Sequence, residues 1–219
     1  MRIKYTLLIG LLAFTIPTAV ACVKHTETPE VQARIEYANG SKLQDLGSLQ
    51  KAGDAYSKAI SLDRSFAAAY VGRGYVYLAH GNLPTALRDF DKAIDLDPNL
   101  SEAYNYRGLV AIGLSEPEQA MLDFTKAIEI NPRFVDTYIN RARLYFRQRD
   151  LYSAIEDMTL AIREEPGRPQ YYMERAQIHL FNQDISAATI DLEQVLSLTK
   201  DPEVELEVKR QLARIGNLN

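Results

Sequence analysis

The chain has 219 residues, 47% of them hydrophobic, 25% charged and 9% aromatic, which excludes collagen-like, disordered and multi-span membrane architectures. Its 25 Lys and Arg against 29 Asp and Glu leave a net charge of -4, so a nucleic-acid binder working through a basic surface is excluded as well. One Cys and three scattered His rule out an intramolecular disulfide and a structural zinc site.

The first predicted element is an export signal over residues 1–21. Arg2 and Lys4 make the start basic, and a charge-free run follows, rich in Leu7, Leu8, Ile9, Leu11, Leu12, Phe14 and Ile16. Ala19-Val20-Ala21 closes it with small residues at the outer places, the pattern of a cleaved secretory leader. The apolar run is shorter than the roughly 20 residues a membrane span needs. Cys22, the sole cysteine, follows directly. Its placement resembles a bacterial lipobox, whose cysteine is acylated and becomes the first mature residue, although Ala19 and Val20 stand where Leu and Ala or Ser are usual. Ordinary cleavage at the same bond would leave an unpaired thiol in an oxidising compartment, a liability that acylation removes. Val23 after the cysteine implies, by the same resemblance, the periplasmic side of an outer membrane in a Gram-negative cell. Residues 22–32 form a short lead-in, within which Thr28-Pro29-Glu30 reads as a helix N-cap followed by Pro at the first helical position. The stretch from Val23 to Glu27, at about 3.5 Å per extended residue, keeps the following domain within roughly 20 Å of the anchor.

From residue 33 the chain repeats every 34 residues, in five gapless units: 33–66, 67–100, 101–134, 135–168 and 169–202. The twentieth place is always alanine (Ala52, Ala86, Ala120, Ala154, Ala188), and the eighth is always small (Gly40, Gly74, Gly108, Ala142, Ala176). The twenty-fourth holds Tyr56, Phe90, Phe124, Met158 and Leu192; the twenty-seventh holds Ala59, Ala93, Ala127, Ala161 and Val195. Small residues at these intervals let two helices cross closely while the large one fills the space beside them. Pro98, Pro132 and Pro166 cannot continue a helix and so end the central units. Residues 203–219 remain, with Val204, Val208, Leu212 and Ile215 at helical spacing; they predict a capping helix and a short tail.

A charge pair keeps the same frame. The seventh place of units two to five is Arg73, Arg107, Arg141 and Arg175, and the twenty-third is Asp89, Asp123, Asp157 and Asp191. Pairing within units satisfies all eight groups. Pairing each Arg with the preceding unit would leave Arg73 facing Ala55 and Asp191 alone. The expectation is therefore four intra-unit structural ion pairs, rather than a row of ligand-binding charges.

The period, the small and aromatic places and the terminal prolines resemble the tetratricopeptide repeat (TPR) family, with Tyr70, Tyr104, Tyr138 and Tyr172 in place of its signature Trp. The resemblance implies an all-α, right-handed solenoid of five helix-turn-helix units plus the C-terminal cap. It also implies a peptide-binding groove on the first helices. In this chain that groove is Val71, Tyr75 and Leu78 in unit two, and Asn105, Leu109 and Ile112 in unit three. Unit four adds Ile139, Arg143, Phe146 and Arg147; unit five adds Met173, Gln177, Leu180 and Phe181. Read this way the groove is apolar and basic near unit four, as a partner-binding surface would be. The carboxylate clamp of eukaryotic co-chaperone TPRs is absent, since only Asn140 fits it.

No GxSxG, HExxH or phosphate-loop motif occurs, and His25, His80 and His179 have no ligand spacing, so neither an enzyme nor a cofactor nor a metal is expected. The reading is a non-enzymatic adaptor for polypeptide partners, exported and lipid-anchored at a bacterial envelope membrane. Similar lipoproteins are cell-wall hydrolase adaptors, pilotins or outer-membrane assembly components. A soluble periplasmic or secreted chaperone-like binder is the alternative, and a non-catalytic subunit of an enzyme complex a third.

Overall fold

The computed structural model describes residues 28–216. The expected leader, Cys22 and the lead-in as far as Glu27 lie outside the described residues, as does the tail at 217–219. The described chain forms eleven helices: α1 (Pro29–Asp45), α2 (Leu49–Leu62), α3 (Ala67–Ala79), α4 (Leu83–Leu96), α5 (Ser101–Gly113), α6 (Pro117–Ile130), α7 (Val135–Arg147), α8 (Leu151–Glu164), α9 (Pro169–Phe181), α10 (Ile185–Leu198) and α11 (Pro202–Gly216). From α3 to α10 every first helix begins at the first place of its unit and every second helix at the seventeenth. The helix α1 starts earlier because Pro29 can occupy a first turn and the Thr28 hydroxyl accepts the Val31 N–H at 3.4 Å.

What ends each first helix is a left-handed residue at the fifteenth place. Gly47 and Gly81 have φ of 71° and 74°, and Ser115, Arg149 and Gln183 follow the same path at 64°, 67° and 61°. The next amide reaches back five residues: Ser48 to the Leu43 carbonyl (2.8 Å), Asn82 to Tyr77 (2.9 Å), Glu116 to Ala111 (2.8 Å), Asp150 to Tyr145 (3.0 Å) and Asp184 to His179 (2.9 Å). This is the Schellman closure, which satisfies carbonyls the helix leaves open. Asn82, Asp150 and Asp184 then cap the second helices by accepting the amides of Thr85, Ser153 and Ala187.

Within a unit the helices are locked by matched sizes. A Cβ added at Gly40, Gly74 or Gly108 would stand 2.6, 2.7 or 2.6 Å from the ring of Tyr56, Phe90 or Phe124, so only glycine fits beneath an aromatic. Where the twenty-fourth residue is the slimmer Met158 or Leu192, the eighth is Ala142 or Ala176. All five alanines of the twentieth place are fully buried. Successive units are joined by second helix on next first helix, while α1 also meets α3 and α3 meets α5, so the first helices form the inner layer. The Tyr70, Tyr138 and Tyr172 hydroxyls donate back to the carbonyls of Arg64, Pro132 and Pro166 at 3.2, 3.0 and 3.1 Å, pinning each first helix to the preceding unit's end. The cap α11 buries Val208 and Ile215 against Tyr172, Ala176, Leu192 and Val195, with Val204 and Leu212 alongside.

The charge pairs stitch this stack. Each arginine grips its own unit's aspartate with two parallel bonds: Arg73–Asp89 at 2.8 and 2.8 Å, Arg107–Asp123 at 3.0 and 2.7 Å, Arg141–Asp157 at 2.8 and 2.8 Å, and Arg175–Asp191 at 2.9 and 2.7 Å. The aspartates are buried, at 6, 2, 3 and 2% exposure. Bonding to Asp89 and Asp123 holds the Arg73 and Arg107 guanidiniums above the usual arginine range. The third edge of the fork crosses to the preceding unit: Arg107 Nη1 to Asp91 at 2.8 Å, Arg141 to Thr125 at 3.3 Å and Arg175 to Thr159 at 2.9 Å. That inter-unit clasp, at the twenty-fifth place, has no counterpart in the sequence reading.

Candidate functional site

The inner layer encloses a trough of about 470 Å³ running across α3, α5, α7 and α9. Its walls are Tyr75, Tyr106 and Tyr171 with Leu109 and Ile139. Its polar groups are Asn105, Asn140 and Gln170, and its charges are Asp136, Arg143 and Glu174. Helical spacing explains the set apart from Tyr171, at a third place: the second, fifth, sixth and ninth places of a first helix share one face. The rings of Tyr75 and Tyr106 lie 5.2 Å apart at 54°, and Phe90 stacks beneath Tyr106 at 5.8 Å. Burial pushes the Tyr106 hydroxyl up to about 12, reinforced by Tyr75 and by the carboxylates of Asp136 and Glu102. Asn105 is 1% exposed; its Oδ1 accepts from Asn140 Nδ2 at 3.0 Å, and among the described residues its own amide nitrogen donates to no protein acceptor.

A second cleft, of about 350 Å³, opens between α7, α8 and α9. Ala142, Phe146, Met158 and Ile178 make its apolar floor; Arg147 and Gln177 stand at its rim. Phe146 meets Phe181 edge-on at 5.3 Å, and Arg149 lies 4.3 Å over the Phe181 ring. Between the two clefts, and lining both, Arg143 and Glu174 form a bidentate pair at 2.9 and 2.6 Å.

The structure departs from the expected groove in two respects. The groove is not a continuous apolar strip. Asn105 and Ile139 are buried; Val71 and Leu78 pack on Phe90 and Val110, and Leu109 and Ile112 on the Phe124 cluster. Phe146 packs on the Met158 cluster, and Met173 and Leu180 on that of Leu192. Tyr75, half-buried, and the exposed Arg143, Arg147, Gln177 and Phe181 face solvent. Nor is the trough basic, because Glu174 pairs with Arg143 and Asp136 adds a negative charge. The residues missed were Tyr106, Asn140 and Glu174 at the sixth place. The signal for them was variety: this place reads Ala38, Gly72, Tyr106, Asn140 and Glu174, beside a seventh that is Arg in four units and an eighth that is always small.

Among the described residues no cluster of His, Cys, Asp and Glu is placed to hold a metal ion, and no helix is long and apolar enough to cross a membrane. Family models described as tetratricopeptide repeat match residues 67–100, 101–134 and 124–156, and one described as TPR repeat matches 40–81. Together they run unbroken over more than half of the chain. No curated protein sequence matches. Among solved structures, Pseudomonas aeruginosa PilF superimposes with a TM-score of 0.76 at 16% identity, over 87% of this chain and 87% of its own. PilW, described as a widely conserved type IV pilus biogenesis factor, gives 0.70 at 17% identity, over 82% and 91%. YrrB, described as a TPR protein with an unusual peptide-binding site, gives 0.60 at 21%, over 81% and 92%. At such identities the likeness is one of fold.

Proposed function

The chain belongs to the tetratricopeptide repeat family, and from that premise we propose that it is a non-catalytic adaptor holding an extended segment of a partner polypeptide in the trough of its first helices. The observation that carries this is Asn105, a buried amide in the wall of the trough, whose oxygen is fixed by Asn140 and whose nitrogen donates to no described protein acceptor. Such a pair offers a peptide backbone one donor and one acceptor, while the tyrosines offer flat apolar faces. The proposed setting is the envelope: exported by the leader, tethered through acylated Cys22 and facing the periplasm. The residue pattern over 1–22 supports it. Of the envelope processes, pilus biogenesis is proposed first, since PilW shares the solenoid over most of its length.

A photo-crosslinking residue placed at the exposed trough residue Gln170 tests the reading in cells, with Tyr152 on α8 as the control, a side chain 79% exposed. Adducts formed from position 170 and not from 152 are expected. Adducts from 152 alone would sink the groove reading and move the binding surface to the outer helices.

A further inference from the structure

We infer that the partner segment carries a large apolar side chain beside an aspartate or glutamate, the first seated in the cleft between α7, α8 and α9 and the second on the arginines at its rim. This rests on the groove reading above, since the cleft adjoins the trough on the same first helices, and it adds the partner's chemistry. A volume of about 350 Å³ lies at the low end of the ~300–1,000 Å³ usual for ligand pockets, which suits one bulky side chain. The floor of Ala142, Phe146, Met158 and Ile178 offers that side chain apolar contact, so an aliphatic or aromatic group gains most by entering.

An apolar cleft alone does not name its occupant. The charge at its rim does. Arg147 lines the cleft, and Arg149, in the turn after α7, lies 4.3 Å over the exposed ring of Phe181, which meets Phe146 edge-on. Both arginines are exposed, and among the described residues neither lies within ion-pair distance of a carboxylate. Two nearby carboxylates are already engaged: Glu174 holds both arms of Arg143, and Asp150 takes the amide and hydroxyl of Ser153. Nor does the repeat ask for arginine here. The thirteenth and fifteenth places are Ala79 and Gly81 in unit two and Gly113 and Ser115 in unit three, so the frame folds with no charge at either. Arg149 even holds a left-handed φ of 67°, which glycine adopts at less cost. Stacking on Phe181 occupies the face of the Arg149 guanidinium and leaves its N–H edge to donate. A carboxylate adjoining the seated side chain supplies what both arginines lack.

The test uses the full-length chain and a phage-displayed library of random dodecapeptides, fused through their C-termini so that only side-chain carboxylates are offered. The selected peptides are synthesised as C-terminal amides with a fluorophore. They are titrated against four proteins: the wild type, Arg147→Gln with Arg149→Gln, Gln177→Trp, which covers the cleft, and Gln170→Trp, which fills the trough. The expected result is that selected peptides share an Asp or Glu next to a large apolar residue and that Gln177→Trp loses them. The arginine variant should bind them about tenfold more weakly, with a salt dependence smaller than that of the wild type. Selected peptides that lack the acidic residue, or whose affinity the arginine variant leaves unchanged, overturn the inference; they leave the groove reading standing where either tryptophan weakens them. Peptides that bind all four proteins alike, or no selected peptide at all, overturn both. Every substituted place is exposed, glutamine already stands at the fifteenth place of unit five as Gln183, and an unchanged melting curve shows that each protein is folded.

Discussion

Replacing Gly108 by alanine adds one methyl group where the structure has no room for it. The new Cβ would stand 2.6 Å from Phe124 Cε1, and Phe124 is fully buried, so the ring cannot swing into solvent. Overpacking of this kind costs about 1–3 kcal/mol. Alanine gains about 1 kcal/mol over glycine inside a helix, which offsets part of that cost. The net loss is up to about 2 kcal/mol, or a fall in melting temperature of up to roughly 8 °C for a chain of this size. Phe124→Leu alone leaves a void in place of the ring edge and costs about 1–3 kcal/mol. Made together, the two changes recreate the Ala176 and Leu192 pair of the fifth unit, and the methyl enters the vacated space. The double variant should therefore be more stable than the sum of the two losses by at least about 1 kcal/mol. Urea titrations followed by far-UV circular dichroism on the four proteins measure all the terms. Strict additivity, or a Gly108→Ala protein more stable than the wild type, would refute size matching as the reason for the glycine.

Arg141→Ala should cost about 3 kcal/mol, because it strands the buried Asp157 and removes the bond to Thr125. Adding Asp157→Ala should return part of the loss, and a double-mutant cycle coupling Arg141 to Asp123 instead would contradict the pairing. Gln183→Gly relieves a left-handed residue at φ 61° and should stabilise by up to about 1 kcal/mol, with a lowered melting point as the contrary result. Burial pushes the Tyr56 and Tyr106 hydroxyls up to about 12, so the unfolded chain ionises them first. Their contribution to stability should be intact below a pH of about 10 and be lost as pH rises through about 12; an ultraviolet titration finding every tyrosine ionised near 10 in the folded protein would count against it. Cys22→Ser should move the protein from the membrane to the soluble fraction, and a wild type that is already soluble with an unmodified Cys22 would end the lipid-anchor proposal.

The places that read clearly from the sequence are those where every unit solves the same packing problem with the same residue type. The alanines of the twentieth place and the aromatics opposite Gly74 and Gly108 are of this kind, and counting charges was enough to select Asp157 over Asp123 for Arg141. The fifteenth place did not read at all. Its left-handed turn is held by main-chain bonds, so Ser115, Arg149 and Gln183 take a path for which only Gly47 and Gly81 gave any sign. The trough was misjudged for a different reason. Its electrostatics depend on Arg143 meeting Glu174 across two units, and helical periodicity places a residue on a face without saying which neighbour neutralises it. Ile139 lines the trough yet is buried, and Leu78 packs on Phe90 and Val110 outside it.

The joints between units are of two mechanical kinds. Between units two and three, three and four, and four and five, an arginine crosses the joint with a directional bond. Between the first two units Arg73 makes no such crossing; there Gly72 lets the Tyr56 ring come so close that an added Cβ would sit 2.5 Å from it. A hydrogen bond fails abruptly once its geometry is lost, whereas apolar contact declines in proportion to the area uncovered. The first joint keeps the bond from the Tyr70 hydroxyl to the Arg64 carbonyl but lacks the arginine clasp, so under load it leans more on apolar contact than the three joints that follow.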